Sequence, residues 1–536
     1  MIPLVTVDQM RNAEQKAIEI GRSETDLMLA AGVSIADEIS ARHGVASHAL
    51  VLCGPGKNGG DGVVIATELV RLGRIATVWT YNRDGAGGVP VDQELIEDTD
   101  WITGQSALED ALASVDFVVD AVFGAGGRAE LPDEVSRAFD AIRLEARDNY
   151  LPIWAVDVPS GIDCDTGSIA ESALQADVTT MIGLPKVGAY RFPAARNTGF
   201  KSLIDIGIAP TDDLGPETPG LITGLSTRRL LPTRRAGLHK RAAGSLMVIG
   251  GAPNYYGAPR LAAEAGLRSG AGIVTVAAPS SVIGSIATAV PELTFLPLPV
   301  AEHLTAESRM ATLIREQLDR YDALVIGPGL GTDKPVPGFL AKLFGFERIS
   351  TTGIGFGSAS DVEEESEFTG RAVIDADGLN WLATRDDWWT ELRQADLVLT
   401  PHPGELARLL NCERDDIEAD PWRYARDAAE RFQQVVVLKY GHTCVATPQG
   451  ELSIAPQAPP SLATAGSGDV LAGLIGGLIA QGLDSADAAR AGVMIGLRAV
   501  DLGEVRHGSV GLTAGDIIEL LPKSIDTILV ERGAFE

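Results

Sequence analysis

The chain has 536 residues, 45% of them hydrophobic, and its 73 acidic against 44 basic residues leave a formal net charge of −29. That length and apolar content suffice for two or more buried cores, so negative a surface repels nucleic acid, and no apolar run approaches the ~20 residues of a membrane helix. With no basic and apolar leader at Met1, a cytoplasmic protein is expected.

The acidic residues are spread along the chain instead of forming one tail, which reads as a heavily hydrated surface of the kind that suits high salt. Only nine basic residues are lysine, and those at 57, 186, 240 and 439 fall inside motif-like stretches, so they are poor surface filler. Cys53, Cys164, Cys412 and Cys444 lie far apart without Cys-x-x-Cys spacing, which suggests neither zinc nor a disulfide scaffold.

Apolar residues at helical spacing predict two opening helices, over 8–21 and 26–43. His48-Ala-Leu-Val-Leu-Cys53 then reads as a buried strand, Gly54-Pro-Gly-Lys-Asn-Gly-Gly-Asp-Gly62 as a glycine loop, and the run to Leu72 as a helix. Strand, glycine loop and helix make a Rossmann-like opening, although the spacing is neither Gly-x-Gly-x-x-Gly nor a Walker loop. Two further strands end in polar loops: Asp116-Phe-Val-Val-Asp-Ala-Val-Phe-Gly124, and Pro152-Ile-Trp-Ala-Val-Asp157 running into Val-Pro-Ser-Gly-Ile-Asp163. A parallel sheet gathers ligands at the carboxyl ends of its strands, so these three loops should meet. Asn58, Asp120 and Ser160 would then offer hard oxygen ligands to a cation, and Asp157 an acid/base carboxylate. A single strand-terminal Asp is more often a cap, and only three converging loops reverse that preference.

These three motifs, in this order and spacing, resemble the epimerase domain of the NAD(P)H-hydrate repair enzymes over roughly residues 1–210. The resemblance implies that Lys57, Asn58, Gly59, Gly60, Asp61, Gly124, Ala125, Gly126, Gly127, Arg128, Ala129, Glu130 and Asp157 contact the hydrated nicotinamide nucleotide, NADHX or NADPHX. It implies a potassium ion on Asn58, Asp120 and Ser160, and a catalytic role for Asp157. One departure stands out: the family usually has a second Asn where this chain has Lys57, whose ammonium would pair with a substrate phosphate or weaken the neighbouring cation site.

Around Ile208-Ala-Pro-Thr-Asp-Asp-Leu-Gly-Pro-Glu-Thr-Pro-Gly220 periodicity is lost, which places a linker at 213–225 between domains over 1–212 and 226–536. Beyond it, apolar strands end successively at Gly250-Gly-Ala, Gly327-Pro-Gly-Leu-Gly331, Asp375-Ala-Asp-Gly-Leu-Asn380, Thr400-Pro-His-Pro-Gly-Glu405 and Lys439-Tyr-Gly-His-Thr443. Two doubly wound α/β domains are therefore expected. Residues 344–370, with Gly353, Gly355, Gly357 and Glu363-Glu-Glu-Ser-Glu, read as an acidic, poorly ordered surface insertion.

The stretch that organises this half is Thr464-Ala-Gly-Ser-Gly-Asp-Val-Leu-Ala-Gly-Leu-Ile-Gly-Gly-Leu-Ile-Ala480. Glycines at 466 and 468 let main-chain N–H groups converge on an anion at a helix start. Asp469 would not hold a phosphate, so its better use is as a base beside one. Gly473, Gly476 and Gly477 would let the helix lie close to a sheet and a nucleotide. His402 with Asp375 or Asp377 is placed to hydrogen-bond a polar substrate, and Lys439 and Thr443 to meet a nucleotide.

Across about residues 225–525 the chain is similar to the ribokinase-like dehydratase of the same repair system, so the fold expected is a Rossmann-like three-layer sandwich followed by a ribokinase-like domain. The likeness implies that Ala258, Gly329, His402 and Asp469 contact the hydrate, with Asp469 catalytic, and that Lys439, Tyr440, Gly441, His442, Thr443 and Gly468 bind the adenine nucleotide. It also implies ADP as phosphoryl donor, Mg²⁺ with the nucleotide, and a homo-oligomer. Two other classes remain open on the residues alone: a ribokinase-like kinase for a vitamin precursor, which leaves the first domain unexplained, and a binding module, which would lack the cation-site residues.

Overall fold

The structure is a computed structural model that describes residues 1–211, 214–234, 236–237, 239–299, 306–349 and 367–531. It divides into two compact units, Ile2–Gly220 and Leu221–Glu536. Residues 350–366 of the acidic insertion lie outside the described residues.

In the first unit the strands are β1 (His48–Cys53), β2 (Ile75–Thr80), β3 (Asp100–Ile102), β4 (Phe117–Ala121), β5 (Ile153–Val156), β6 (Val178–Ile182) and β7 (Phe200–Ile204), in the order β3-β2-β1-β4-β5-β6-β7. All neighbours run parallel. The pleat explains why β1 is apolar without interruption. Leu50 and Leu52 join a core with Val118, Phe139 and Ile153 on one face, while Val51 and Cys53 join Val119, Trp154 and Val156 on the other. The two opening helices, Val7–Glu19 and Glu24–Arg42, cover the second face through Met10, Ala13, Ala17, Ile35 and Ile39. Thr6 and Ser23 cap them: each hydroxyl accepts from the amide of the third helical residue, and each cap amide donates back to that residue's side chain.

The second unit contains β8 (Ser245–Ile249), β9 (Ile273–Pro279), β10 (Thr294–Leu298), β11 (Ala323–Ile326), β12 (Arg371–Ile374), β13 (Asp396–Leu399), β14 (Val435–Leu438), β15 (Cys444–Ala446) and β16 (Leu452–Ile454). Their order is β16-β15-β14-β13-β12-β11-β8-β9-β10, parallel except where β15 and β16 fold back. Helix Ser467–Ala480 packs into this sheet and against helix Gly257–Arg268. A Cβ at Gly476 would lie 2.5 Å from Val325 Cγ2 of β11, and one at Gly473 only 1.9 Å from the Ala262 carbonyl oxygen. The small residues of this helix thus serve close packing on the sheet and on a neighbouring helix; Gly473 and Gly477 face that helix instead of a nucleotide.

In each sheet the chain reverses its direction of travel at one point, between β1 and β4 in the first and between β8 and β11 in the second. Ligand crevices of open α/β sheets form beyond the strand ends at such switch points. The glycine loops after β1, β4, β8 and β11 all lie there.

Candidate active sites

In the first unit Asp157 follows β5 with a left-handed backbone, φ +67°. Its Oδ1 accepts hydrogen bonds from Lys186 Nζ at 2.5 Å and from the Ile182 amide at 3.3 Å, and Oδ2 accepts from the Ala125 amide at 3.0 Å. Lys186 is 1% exposed and also donates to the Ile182 carbonyl at 2.6 Å. A buried ammonium and a buried carboxylate are each costly alone, so neither would persist without the other. Together with Glu14, Lys57, Asn58, Asp61 and Gly124–Gly127 they line a cavity of ≈ 470 Å³. Burial, then the negative charge of Asp157 and of Glu14, holds the Asp61 carboxyl well above the usual carboxylate range. Burial also raises Glu14, against the opposing pull of Lys57.

Of the other residues assigned to this site by sequence, Gly59 and Gly60 are pressed against the Gly54 backbone and Met28, and Arg128, Ala129 and Glu130 lie outside the cavity wall. Lys57 neither reaches into the glycine loop nor stands free. Its ammonium is 3.1 Å from Glu24 Oε1 and 3.9 Å from Glu14 Oε2 at the cavity rim.

Asp120 is fully buried and makes no ion pair among the described residues. Its carboxylate accepts from Ser160 Oγ at 2.6 Å, from the Ser160 amide at 2.7 Å and from the Val122 amide at 3.2 Å, and burial lifts it to about 6 despite those bonds. Ser160 Oγ in turn receives the Phe123 amide at 2.8 Å. Asn58 leaves its amide nitrogen buried without a partner, and its Oδ1 occupies the space beside Gly124, where a Cβ would come within 2.8 Å. Among the described residues the buried Asp120 carboxylate thus has no cationic partner, and it shares the Phe123–Gly124 turn with the Ser160 hydroxyl and the Asn58 amide oxygen, all three hard oxygen donors.

At the second sheet's carboxyl edge, Lys439 after β14 donates to Asp375 Oδ1 at 2.7 Å, and Thr400 Oγ1 donates to the same oxygen at 2.8 Å. Ala376, between the two acids of the Asp-Ala-Asp run, is held at φ +47°, and Asp377 Oδ2 accepts from the Gly331 amide at 2.8 Å. Burial would lower the Lys439 ammonium, but Asp375, Glu405 and Asp469 outweigh it and raise its pKa. Asp469, in the first turn of helix Ser467–Ala480, is pushed up to about 7, by burial first and then by Asp375, with Lys439 opposing. A Cβ on Gly468 would lie 3.2 Å from Lys439 Nζ, so glycine is what lets the ammonium sit over the helix start.

His402 caps helix Pro403–Leu410. Its Nδ1 accepts the Gly404 amide at 3.0 Å and the Glu405 amide at 3.3 Å, which leaves the proton on Nε2, 3.6 Å from Glu405 Oε1. Burial first, then Lys439 and Arg408, lower its pKa and keep it neutral. Gly329 adjoins Ala258, to whose Cβ an added methyl would approach within 3.2 Å. Lys439, Tyr440, Gly441, Thr443 and Gly468 line a second cavity of ≈ 330 Å³, whose remaining wall includes Pro459, Pro460, Leu471 and Leu497. An apolar slot ending in a cation and a helix N-terminus suits an adenine ring with phosphates. His442 is 3% exposed, and its Nδ1 pairs with the Ala455 carbonyl at 2.8 Å, so its side chain serves the strand behind the slot.

Among the residues in these sites that were given no role by sequence reasoning are Lys186 and Glu405. Lys186 was visible only as a scarce lysine in a glycine-flanked stretch. Glu405 is 6% exposed, accepts the His402 amide at 2.8 Å and has its carboxyl raised by burial; its position three residues after a capping His was the available signal.

The family model described as NAD(P)H-hydrate dehydratase matches residues 246–523, and that of the YjeF-related protein N-terminus matches 24–188. The chain is 35% identical over 487 residues to the bifunctional NAD(P)H-hydrate repair enzyme Nnr of Moorella thermoacetica, covering 88% of this chain and 86% of that one. It is 32% identical over 550 residues to the protein of that name from Salinibacter ruber, covering 97% and 96%. Among solved structures it is similar to the ADP/ATP-dependent NAD(P)H-hydrate dehydratase of Bacillus subtilis co-crystallized with ATP/Mg²⁺, at 25% identity and a TM-score of 0.46, covering 58% of this chain and 99% of that one.

Proposed function

Because the chain belongs to the family of bifunctional NAD(P)H-hydrate repair enzymes, we propose that it returns NADHX and NADPHX to NADH and NADPH at two sites. The first unit interconverts the two epimers of the hydrate, and the second dehydrates one of them at the expense of ADP. The single observation that carries the dehydratase reading is Asp469, a carboxyl poised at about 7 on a helix start that also faces Lys439. A general base works best with its pKa near the operating pH.

In the second unit, Ala258, Gly329 and the Nε2 proton of His402 orient the hydrate. Lys439 and the Gly468 amide hold the phosphates, and Tyr440, Gly441 and Thr443 line the slot for the adenosine. Asp469 takes the proton from the ring hydroxyl as that oxygen accepts the terminal phosphoryl group of ADP. AMP leaves, the ring nitrogen's electron pair expels phosphate, and loss of a proton from the neighbouring ring carbon to the departing phosphate then restores the dihydronicotinamide. Among the described residues no three His, Cys, Asp or Glu are arranged to hold a metal. Mg²⁺ would come with the nucleotide, held mainly by its phosphates with one or two carboxylates. In the first unit Asp157 is the acid/base group, and Asn58, Asp120 and Ser160 would hold a potassium ion, whose positive charge offsets buried negative charge beside the substrate.

The test is to incubate the chain with mixed hydrate epimers and either ADP or ATP and to follow recovery of the reduced-nicotinamide absorbance. Complete recovery of both epimers, faster with ADP, is expected. Equal or faster recovery with ATP would overturn the donor assignment, and a phosphorylated product that accumulates without recovery would mean a kinase.

A further inference from the structure

Water adds to an enamine with its hydroxyl on the carbon bonded to nitrogen, so the hydrate is a cyclic carbinolamine. Its epimers interconvert only if one bond to that carbon breaks and re-forms on the other face. One route that consumes nothing, and that retains the hydrate's own oxygen instead of exchanging it with water, is ring opening. A base takes the hydroxyl proton, the carbon–nitrogen bond breaks with its electron pair going to nitrogen, and the carbon becomes an aldehyde while an acid protonates the nitrogen. After rotation of the aldehyde the acid's conjugate base recovers its proton, nitrogen attacks the opposite face, and the oxygen regains the proton held by the base. Both protein groups end as they began. By this route the site needs one group that accepts a proton and one that gives a proton.

The Asp157 carboxyl accepts hydrogen bonds from Lys186 and two backbone amides, the partners of a proton acceptor. A second carboxyl on the same wall has the opposite surroundings. Asp61, in helix Lys57–Arg71, is 8% exposed, lines the cavity, and has no hydrogen bond or ion pair among the described residues. Resting on the epimerase reading above, we propose that Asp61 is the proton donor of this site, delivering its proton to the ring nitrogen while Asp157 accepts the one from the hydroxyl. The groups that face it favour this division. Asp157 from the β5 end and Glu14 from helix Val7–Glu19 oppose a further negative charge, and Lys186 and Lys57 offset them only in part, since both are already paired with carboxylates.

The two epimers can be separated and timed without nucleotide, so that the dehydratase is silent, with the spontaneous rate subtracted. Wild-type epimerisation should fall on the alkaline side. Asp61→Asn, which keeps the shape but cannot give up a proton, should slow it ~10²–10⁴-fold and abolish that alkaline limb. Asp61→Glu should restore part of both, and dehydration on adding ADP should keep its wild-type rate. A wild-type chain that does not interconvert the epimers would remove the epimerase reading itself. One that does so with a profile flat on the alkaline side, or an Asp61→Asn chain with the wild-type rate, would overturn the role of Asp61. The wild-type profile decides the matter even if the Asn variant does not fold.

Discussion

The Lys439 ammonium and the Asp375 carboxylate meet at 2.7 Å beside Asp469, and they act on it in opposite directions: Asp375 raises its pKa and Lys439 lowers it. The pair is therefore a setting device for the Asp469 carboxyl, the base of the proposed dehydration. Asp375→Asn should move the dehydratase pH profile toward acid, and Lys439→Met toward alkali with a weakened affinity for the nucleotide. Profiles of kcat against pH check this, and shifts in the same direction would contradict it.

Asp469 also carries a stability signature. Its folded pKa of about 7 stands above the ordinary aspartate value of 3.8, so the folded state binds a proton that the unfolded chain has lost over that interval. The contribution is fully present below the unfolded pKa and is lost as pH rises through about 7. Asp469→Asn should thus melt higher than wild type at pH 8 and nearly equal to it at pH 4. A melting point lowered at pH 8 would mean that the carboxylate is structurally required.

Lys186 should matter to the first site as much as the residue it holds. Lys186→Met leaves Asp157 buried without its ammonium, and losing one partner of a buried pair typically costs about 3–5 kcal/mol. Epimerisation should fall to the level of Asp157→Asn, the unit should melt lower, and the double variant should be no worse than the singles combined. Full epimerase activity in Lys186→Met would show the pair to be scaffold only.

How far the sequence led differs between strands and pairs. The buried strands were readable because parallel strands covered on both faces are apolar without a break, as Leu50 to Cys53 are. The site loops were readable because the switch points of such sheets gather strand-end motifs. What could not be read was which side chains pair across the fold. Lys186 reaches Asp157 from the end of β6, and Glu14 and Glu24 reach Lys57 from the opening helices, where acidic residues look like ordinary solvated positions. Gly473 likewise reads as room for a ligand, and only the placement of helix Gly257–Arg268 shows it to be a helix contact.

Potassium should speed epimerisation, and Asp120→Ala should remove that response, since among the described residues the buried Asp120 carboxylate meets hydrogen-bond donors but no cationic side chain. Titrating potassium against the wild-type and variant chains in a sodium background checks it. Rates indifferent to potassium in both would contradict the ion site.

The central claim is that one chain holds two independent sites, and the most direct measurement is Asp469→Asn given mixed hydrate epimers and ADP. Dehydration should drop ~10²–10⁴-fold with the base removed, while the two epimers still equilibrate at the wild-type rate. Loss of epimerisation together with dehydration in a folded chain, or dehydration at the wild-type rate, would contradict the account.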